Sequence, residues 1–194
     1  VYVGRQTARV YPQGPLASHV IGFTNQDGNG QYGIEEYYND LLAGKEGLRQ
    51  NAKNPASYLL LSFQDAPRDG QDIVLTIDYN IQSMAESLLE KASGELGFKA
   101  GTLIVSDPKS GKILAMANFP NFDPNEYSQV QDLSIFQNPS IQKLYEPGSK
   151  FKPVTMAAAI DTGAITPETT YIDKGIIQIG GRKIYNYDQR TWNL

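Results

Sequence analysis

The chain has 194 residues, of which 40% are hydrophobic, and a formal net charge of −4. This size predicts one or two domains with a hydrophobic core, and the acidic balance without a basic block excludes a nucleic-acid-binding surface. The absence of cysteine excludes disulfides, thiol catalysis and cysteine-ligated metal, and neither a metal nor an organic cofactor is expected.

His19 is the only histidine, and it lies in an apolar stretch. A Ser-His-Asp triad would have to use it, but a lone histidine among apolar residues favours a structural role. No run of 18 apolar residues predicts a membrane-spanning helix within the sequence. No signal peptide is evident and the first residue is Val1 rather than Met, so we expect the chain to be processed or trimmed.

The first third is rich in glycine and tyrosine. Residues 9–14 predict a short extended piece with a turn, and residues 27–30 predict a second turn. Apolar residues over 34–42 recur at helical spacing, and Gly44 and Gly47 predict the end of that helix.

A strand is predicted over 57–63, and the polar stretch 64–70 predicts a domain boundary. The two predicted domains are 1–66 and 67–194. Residues 72–78 predict the first strand of the second domain.

The helix after that strand follows the spacing i, i+3, i+4, i+7, i+8 over 81–89, with Gly94 beyond it. Strands over 101–106 and 112–117 flank a turn. Both look buried on both faces, which predicts a sheet covered by helices. A later hairpin is predicted over 175–187, and the fold class is predicted to be α+β.

Ser149 and Lys152 lie three residues apart at the start of a predicted helix that Gly163 ends. Positions i and i+3 share one face of a helix. A serine hydroxyl becomes an effective nucleophile when a nearby base takes its proton, and a lysine amine is such a base where burial or neighbouring cations lower its pKa. The pattern Ser-x-x-Lys is the nucleophile signature of penicillin-binding proteins and serine β-lactamases.

The same four-residue pattern occurs at 106–109 and at 140–143. The first runs into a turn, and the second lies in a polar segment with no long apolar helix behind it. Ser149 instead follows a Pro-Gly pair and opens an apolar, buried-looking helix, with Pro153 in its first turn. The alternative that the pattern alone leaves open is a serine N-cap on a core helix, with a solvated lysine.

Two further motifs lie in the first third. Arg-x-Tyr-Pro-x-Gly is formed by Arg9, Tyr11, Pro12 and Gly14, and Gly-x-x-Gly-x-Glu followed by Leu-x-Gly-x-x-Gly is formed by Gly30, Gly33, Glu35, Leu42, Gly44 and Gly47. Both resemble motifs of the pedestal, or dimerisation, domain of class B penicillin-binding proteins, the monofunctional cell-wall transpeptidases. The resemblance implies a structural role, with Glu35 paired to Arg9. An acid/base pair of Glu35 and Glu36 is disfavoured, because adjacent helical positions point about 100° apart.

The second domain resembles the opening of a penicillin-binding transpeptidase domain in the order of its segments DIVLTIDYNIQSMAESLLEKA, GTLIVSDPKSGKILAMANFPNFDPN and YEPGSKFKP. The resemblance covers nearly the whole sequence. It implies that Ser149 attacks the carbonyl of a D-alanyl-D-alanine peptide bond and that Lys152 accepts the hydroxyl proton. The Ser149 N–H would supply one oxyanion donor at the helix N-terminus.

The family's Ser-x-Asn and Lys-Thr/Ser-Gly motifs are not found in the sequence, so the substrate-binding residues are not assigned. We expect the chain to begin inside the pedestal, without the family's membrane anchor, and to stop within the transpeptidase domain. We also expect the 194 residues alone to have little or no transpeptidase activity, because a second oxyanion donor would be missing.

The resemblance implies peptidoglycan stem peptides, β-lactams and membrane proteins of the division or elongation machinery as partners. It also implies a membrane-anchored location outside the cytoplasm. Relatives of the same fold leave a β-lactamase, a DD-carboxypeptidase or a β-lactam sensor as alternatives, which the pedestal motifs disfavour. A non-catalytic scaffold or interaction fragment is the alternative from another class.

Overall fold

A computed structural model describes residues 8–45, 47–53, 59–187 and 192–193. The chain divides into two units, Val1–Lys143 and Leu144–Leu194. The first unit contains α1 (Ser18–Ile21), β1 (Phe23–Thr24), β2 (Gly30–Gln31), α2 (Gly33–Tyr37), α3 (Asn39–Leu42), β3 (Leu48–Lys53), β4 (Leu59–Asp65), α4 (Tyr79–Leu96), β5 (Gly101–Ser106), β6 (Ile113–Phe119), the 3₁₀ helices Pro124–Gln129 and Leu133–Phe136, and α5 (Pro139–Gln142). The second contains the 3₁₀ helix Gly148–Phe151, α6 (Lys152–Asp161), β7 (Ile172–Asp173), β8 (Ile176–Ile179), β9 (Arg182–Tyr185) and β10 (Trp192–Asn193). This mixture agrees with the predicted α+β class.

Helix α4 is the element on which the first unit's hairpin packs. Its N-cap is Asp78, whose Oδ1 accepts hydrogen bonds from the backbone N–H groups of Asn80 and Ile81. Its apolar side contacts the antiparallel pair β5 and β6 through a small core built on Ala85, Ala115 and Ala117. The predicted helix is therefore confirmed, and its apolar spacing marks the buried face.

Three expectations for this region are wrong. The helix continues through Gly94 and ends at Gly97, which has a φ of +70° and donates its N–H to the carbonyl of Ser93. Residues 72–78 form no strand, because their contact with β6 is one backbone bond from Asp78 to Leu114 and one from the Thr76 hydroxyl to Ile113. The expectation of cover on both faces is wrong for β5, whose alternate residues are exposed, whereas β6 has no exposed residue.

The N-terminal segment forms the predicted turns. The turn at 27–30 lies within a short antiparallel hairpin of β1 and β2, which the sequence analysis did not predict. The helix predicted over 34–42 is two short helices, because Tyr38 adopts φ −110° and ψ 23° and breaks the regular backbone. The strand predicted over 57–63 is confirmed from Leu59 onward as β4, and residues 57–58 lie outside the described part of the chain.

Strand β4 pairs antiparallel with β3, a polar strand that the sequence analysis did not predict. Beyond the open end of this hairpin, Lys45 and Arg68 form an isolated antiparallel β-bridge.

A second core of the first unit is aromatic. Phe23, Phe122 and Phe136 are each at most 5% exposed, and their ring centroids lie 4.8 to 6.1 Å apart. Phe23 comes from the N-terminal segment, whereas Phe122 and Phe136 follow β6. This core therefore joins residues from both sides of the predicted boundary at 66/67.

In the second unit, the predicted hairpin is confirmed as β8 and β9, joined by Gly180 and Gly181. The predicted helix is also present as α6, with Pro153 in its first turn and Gly163 just beyond its end. The expectation that α6 is buried is wrong, since Val154 and Met156 are 54% and 53% exposed. The apolar composition of α6 is typical of a helix that packs against another element. It does not show that a described element covers the helix.

In the described part of the chain, no helix has both the length and the apolar character needed to cross a membrane.

Candidate active site

Ser149 and Lys152 are held by one tight turn at the start of α6. The chain enters it through Pro147 and Gly148, which has a φ of +55°. The 3₁₀ helix Gly148–Phe151 runs directly into α6, and the backbone N–H of Lys152 donates to the carbonyl of Ser149. Because side chains at i and i+3 eclipse each other in a 3₁₀ turn, the serine and lysine side chains start from the same side of the backbone.

Both side chains are exposed. Among the described residues, no hydrogen bond joins the Ser149 hydroxyl to the Lys152 amine. The neighbouring Lys150 extends elsewhere, with its ammonium 5.9 Å from the ring centroid of Tyr145. Lys152 is thus the lysine that the backbone places beside Ser149. Ser149 is not an N-cap, since no side-chain cap bond forms at this helix start.

The other two Ser-x-x-Lys patterns lie in different settings. Ser106 ends β5, as the sequence analysis predicted, and a turn follows it. The Ser140 hydroxyl donates to Asn118 Oδ1 at 2.7 Å and is therefore engaged in a structural contact. Neither serine lies at the start of a helix longer than one turn.

The pedestal motifs meet at Glu35, which is 4% exposed. Arg9 Nε donates to Glu35 Oε1 at 2.7 Å, which is the predicted ion pair, and the Tyr11 hydroxyl donates to the same oxygen at 3.2 Å. Thr24 in turn donates its N–H to the Tyr11 oxygen at 2.9 Å. Burial, reinforced by the charge of Glu35, raises the pKa of Tyr11 to about 12, and the bond to Glu35 raises the pKa of Arg9.

These contacts make Glu35 a structural anchor of the pedestal motifs. The neighbouring Glu36 has a different hydrogen-bond partner, because its Oε2 accepts the N–H of Tyr32 at 2.8 Å. A cavity of about 360 Å³ lies beside Glu35, and apolar side chains form much of its wall, including those of Ile21, Ile34 and Leu42. The two carboxylates are therefore held by different partners.

The motif glycines fit close backbone contacts. A Cβ on Gly30 would lie 1.9 Å from the carbonyl oxygen of Glu35, and one on Gly44 would lie 2.4 Å from that of Arg68. Pro12 and Gly14 lie in the turn that follows Tyr11, where the Gly14 N–H donates to the Tyr11 carbonyl. Gly33 begins α2, and Gly47 directly precedes β3.

Among the other buried polar groups, His19 was expected to have a structural role, whereas Gln82, Asn118 and Asn138 were not found by motif reasoning. His19 is 4% exposed, with its Nε2 2.8 Å from the carbonyl oxygen of Ile135, and burial lowers its pKa. Gln82 is fully buried between α4 and β6. Asn118 and Asn138 form a pair that connects β6 to the residues before α5. The only sequence signal was the N-cap preference of asparagine at Asn138-Pro139. No group of three or more His, Asp or Glu side chains is placed to hold a metal in the part of the chain that the structure describes.

Two family models match this chain. Residues 101–193 match the penicillin binding protein transpeptidase domain, and residues 1–75 match the penicillin-binding protein dimerisation domain. The chain belongs to the penicillin-binding proteins. The expected family resemblance, including the dimerisation segment of the class B proteins, is therefore confirmed.

Named relatives agree with this family. The "Probable peptidoglycan D,D-transpeptidase PbpC" of Pseudomonas aeruginosa is 36% identical over 189 residues, covering 96% of this chain and 33% of the relative. The "Probable peptidoglycan D,D-transpeptidase PenA" of Neisseria meningitidis is 40% identical over 163 residues, covering 82% of this chain and 28% of the relative. The crystal structure of penicillin binding protein 3 from Mycobacterium tuberculosis matches with a TM-score of 0.78 at 32% identity, covering 94% of this chain and 38% of that one. The chain thus spans about a third of the length of the curated relatives it matches.

Proposed function

We propose that the protein is a peptidoglycan D,D-transpeptidase that works through an acyl-enzyme on Ser149. The observation that supports the proposal is that Ser149 and Lys152 share one turn at the start of α6, joined by a backbone hydrogen bond, in a segment that matches the transpeptidase family model. The names of the relatives support the same reaction class.

In the proposed reaction, the Ser149 Oγ attacks the carbonyl carbon of a D-alanyl-D-alanine peptide bond while Lys152 takes the hydroxyl proton. The tetrahedral intermediate then expels the terminal D-alanine, whose amine receives that proton from Lys152. An amine of a second stem peptide attacks the ester and forms the cross-link, and the Ser149 hydroxyl is restored. The backbone N–H of Ser149, at the helix start, would donate one hydrogen bond to the oxyanion.

A β-lactam follows the same first step, because opening its ring transfers the acyl group to Ser149 and leaves the cleaved amine tethered to the product. The tethered amine cannot diffuse away, so the protein stays acylated. We therefore propose that penicillins inhibit the protein.

We also propose a membrane-anchored location outside the cytoplasm, where cell-wall cross-links form. Membrane proteins of the division or elongation machinery would be its partners. The dimerisation-domain match at 1–75 favours this function over a β-lactamase or a β-lactam sensor of the same fold.

Labelling of the full-length protein with a fluorescent penicillin tests the proposal. We expect stable labelling of the unaltered protein and of Ser106→Ala, and none of Ser149→Ala. Lys152→Ala should slow labelling by about 10² to 10⁴-fold, the range for loss of a general base. Persistent labelling of Ser149→Ala would contradict the assignment, and rapid release of hydrolysed drug would favour a β-lactamase.

A further inference from the structure

The turn between β1 and β2 ends in the only Asn-Gly pair of the sequence, Asn29-Gly30. Asparagine is a thermolabile residue, and the glycine after it has no Cβ to hinder attack by its backbone nitrogen on the asparagine side chain. The Asn29 side chain is exposed and makes no hydrogen bond among the described residues. Its carboxamide is therefore available for deamidation.

Deamidation begins with attack of the Gly30 backbone nitrogen on Asn29 Cγ. The new N–Cγ bond closes a succinimide ring, the Cγ–Nδ2 bond breaks, and the side-chain nitrogen leaves as ammonia with the proton that Gly30 loses. Water then opens the ring. Cleavage of the bond between the nitrogen and Cγ gives aspartate, whereas cleavage at the α-carbonyl gives isoaspartate, in which the main chain runs through Cβ and Cγ. Both products require the Gly30 nitrogen to give up its proton.

That proton is held by Asn39, the first residue of α3. Gly30 is buried, and its N–H donates to Asn39 Oδ1 at 2.8 Å. Asn39 is itself fixed by the bond from the Ala43 N–H to its carbonyl. A buried N–H without an acceptor is unfavourable, so this contact is part of the fold. The Gly30 nitrogen must therefore break a hydrogen bond before it can attack Asn29 Cγ.

The backbone around Gly30 has no space for a longer main chain. A Cβ on Gly30 would lie 1.9 Å from the carbonyl oxygen of Glu35, whereas a Cβ on Gly28 would meet no atom within 4 Å. An isoaspartate at position 29 adds a methylene to the main chain directly before Gly30. It would therefore displace Gly30 or the backbone of Glu35, the anchor of the pedestal motifs.

We propose that Asn29 is a deamidation site of the dimerisation segment and that Asn39 slows the reaction by holding the Gly30 N–H. The reaction proceeds when the contact between β2 and α3 opens locally. Its isoaspartate product destabilises the segment through Gly30 and Glu35. The inference goes beyond the proposed function and does not depend on it, since the reaction needs only water.

The test is incubation of the folded full-length protein in mildly alkaline buffer, well below the unfolding midpoint of every variant. Deamidation is located at residue 29 by peptide mass spectrometry, and isoaspartate is detected with an isoaspartyl methyltransferase. Asn39→Ala removes the acceptor, whereas Asn39→Asp keeps an oxygen in its place. Asp40→Ala is the matched control, because Asp40 is the next, exposed residue of α3 and makes no hydrogen bond to Gly30. Asn29→Ser identifies the signal.

We expect Asn39→Ala to raise the deamidation rate at residue 29 about twofold to tenfold, the factor that corresponds to the loss of one hydrogen bond. Asn39→Asp and Asp40→Ala should react at close to the rate of the unaltered protein, and Asn29→Ser should show no signal at this position. In concentrated urea, every protein that keeps Asn29 should react at one common, faster rate. An unchanged folded-state rate in Asn39→Ala, or an equal rise in Asn39→Asp or Asp40→Ala, would contradict the role of Asn39.

Two further measurements separate the hydrogen bond from the steric effect. The Gly30 amide should exchange with deuterium faster in Asn39→Ala than in Asp40→Ala, and equal exchange would contradict the role of Asn39. The isoaspartate form, isolated by chromatography, should have a lower free energy of unfolding than Asn29→Asp, which carries the same charge on a normal main chain. Equal stability of these two forms would contradict the destabilisation through Gly30 and Glu35.

Discussion

At the scale of single residues, Glu35 shows why the pedestal motif combines an arginine, a tyrosine and a glutamate. Its buried carboxylate accepts hydrogen bonds from Arg9 and Tyr11, and both donors are distant in sequence. A buried carboxylate without such donors is strongly unfavourable. The motif residues therefore supply each other's hydrogen-bond partners.

We expect Glu35→Ala to lower the free energy of unfolding by roughly 1 to 3 kcal/mol, because Arg9 and the Tyr11 hydroxyl lose a buried partner. Arg9 is half-exposed, which keeps the loss below that of a fully buried pair. Glu36→Ala, on the same helix but exposed, should cost about 1 kcal/mol or less. Urea unfolding of the three proteins measures both values, and equal losses would contradict the anchor role.

His19 and Glu86 make opposite contributions to the dependence of stability on pH. Burial lowers the pKa of His19 below 6.5, so the stability that its neutral form preserves is present above pH 6.5 and is lost as pH falls toward the lowered value. Burial raises the pKa of Glu86 above 4.5 despite hydrogen bonds from Gln82 and Ala17, so the folded chain takes up a proton first and gains relative stability as pH falls through the raised value toward 4.5.

The test is unfolding between about pH 7.5 and pH 5.5, the range in which a buried histidine begins to charge. We expect His19→Gln to lose less stability over this range than the unaltered protein, because glutamine can still donate to the Ile135 carbonyl but does not titrate. When the series is extended down to pH 4.5, Glu86→Gln should lose more stability than the unaltered protein, because it lacks the proton uptake that favours the folded chain. Parallel curves for all three proteins would show that these groups do not control the response.

At the scale of elements, Gln82 docks α4 onto β6. Its Oε1 accepts the N–H of Met116 at 2.8 Å, and its Nε2 donates to the Met116 carbonyl at 3.2 Å and to Glu86 Oε1 at 2.7 Å. The side-chain amide thus takes the place of a neighbouring strand at Met116. In a wider sheet, the backbone of a neighbouring strand would make these hydrogen bonds to Met116.

Gln82→Leu should therefore cost roughly 1 to 3 kcal/mol of stability, because it leaves a buried N–H and a buried carbonyl of Met116 without partners. Ser83→Ala, at an exposed position of the same helix, is the control and should change stability by less than about 0.5 kcal/mol. Thermal or urea unfolding gives the comparison. A loss in Gln82→Leu no larger than in the control would contradict the docking role.

Gln82 also explains one limit of the sequence analysis. The apolar run at 72–78 predicts a strand, but the chain leaves β6 after the bond from Asp78 to Leu114, and Gln82 occupies the next pairing position at Met116. The helix α4 could be predicted because its apolar face repeats along the sequence. The pairing of the Gln82 side chain with Met116, in place of a strand, could not be predicted, because no local sequence pattern encodes it.

The candidate site also has some features that could be predicted from the sequence and others that could not. The turn that holds Ser149 and Lys152 could be predicted, because Pro147, Gly148 and the i, i+3 spacing are local features. The Asn118–Asn138 pair could not, because its members lie 20 residues apart and belong to no recognised pattern. The exposure of α6 was also missed, since apolar composition does not tell which element covers a helix.

At the scale of the whole molecule, the dimerisation segment and the first part of the transpeptidase segment lie in one unit. Phe23 lies in the segment that matches the dimerisation domain, and Phe122 and Phe136 lie in the segment that matches the transpeptidase domain. The Asn125 side chain accepts the N–H of Tyr11 and donates to its carbonyl, with both bonds at 2.9 Å. The pedestal motif is therefore hydrogen-bonded directly to the transpeptidase segment. A substitution in either segment is expected to affect the stability of the other.

The central claim is that Ser149 forms the acyl-enzyme. The most direct measurement is the site of covalent attachment, found by treating the folded full-length protein with benzylpenicillin, digesting it and locating the adduct by mass spectrometry. We predict one penicilloyl group per chain on Ser149, with no adduct in Ser149→Ala. An adduct on a different residue, or a folded protein that takes up no penicillin at saturating concentration, would contradict the account.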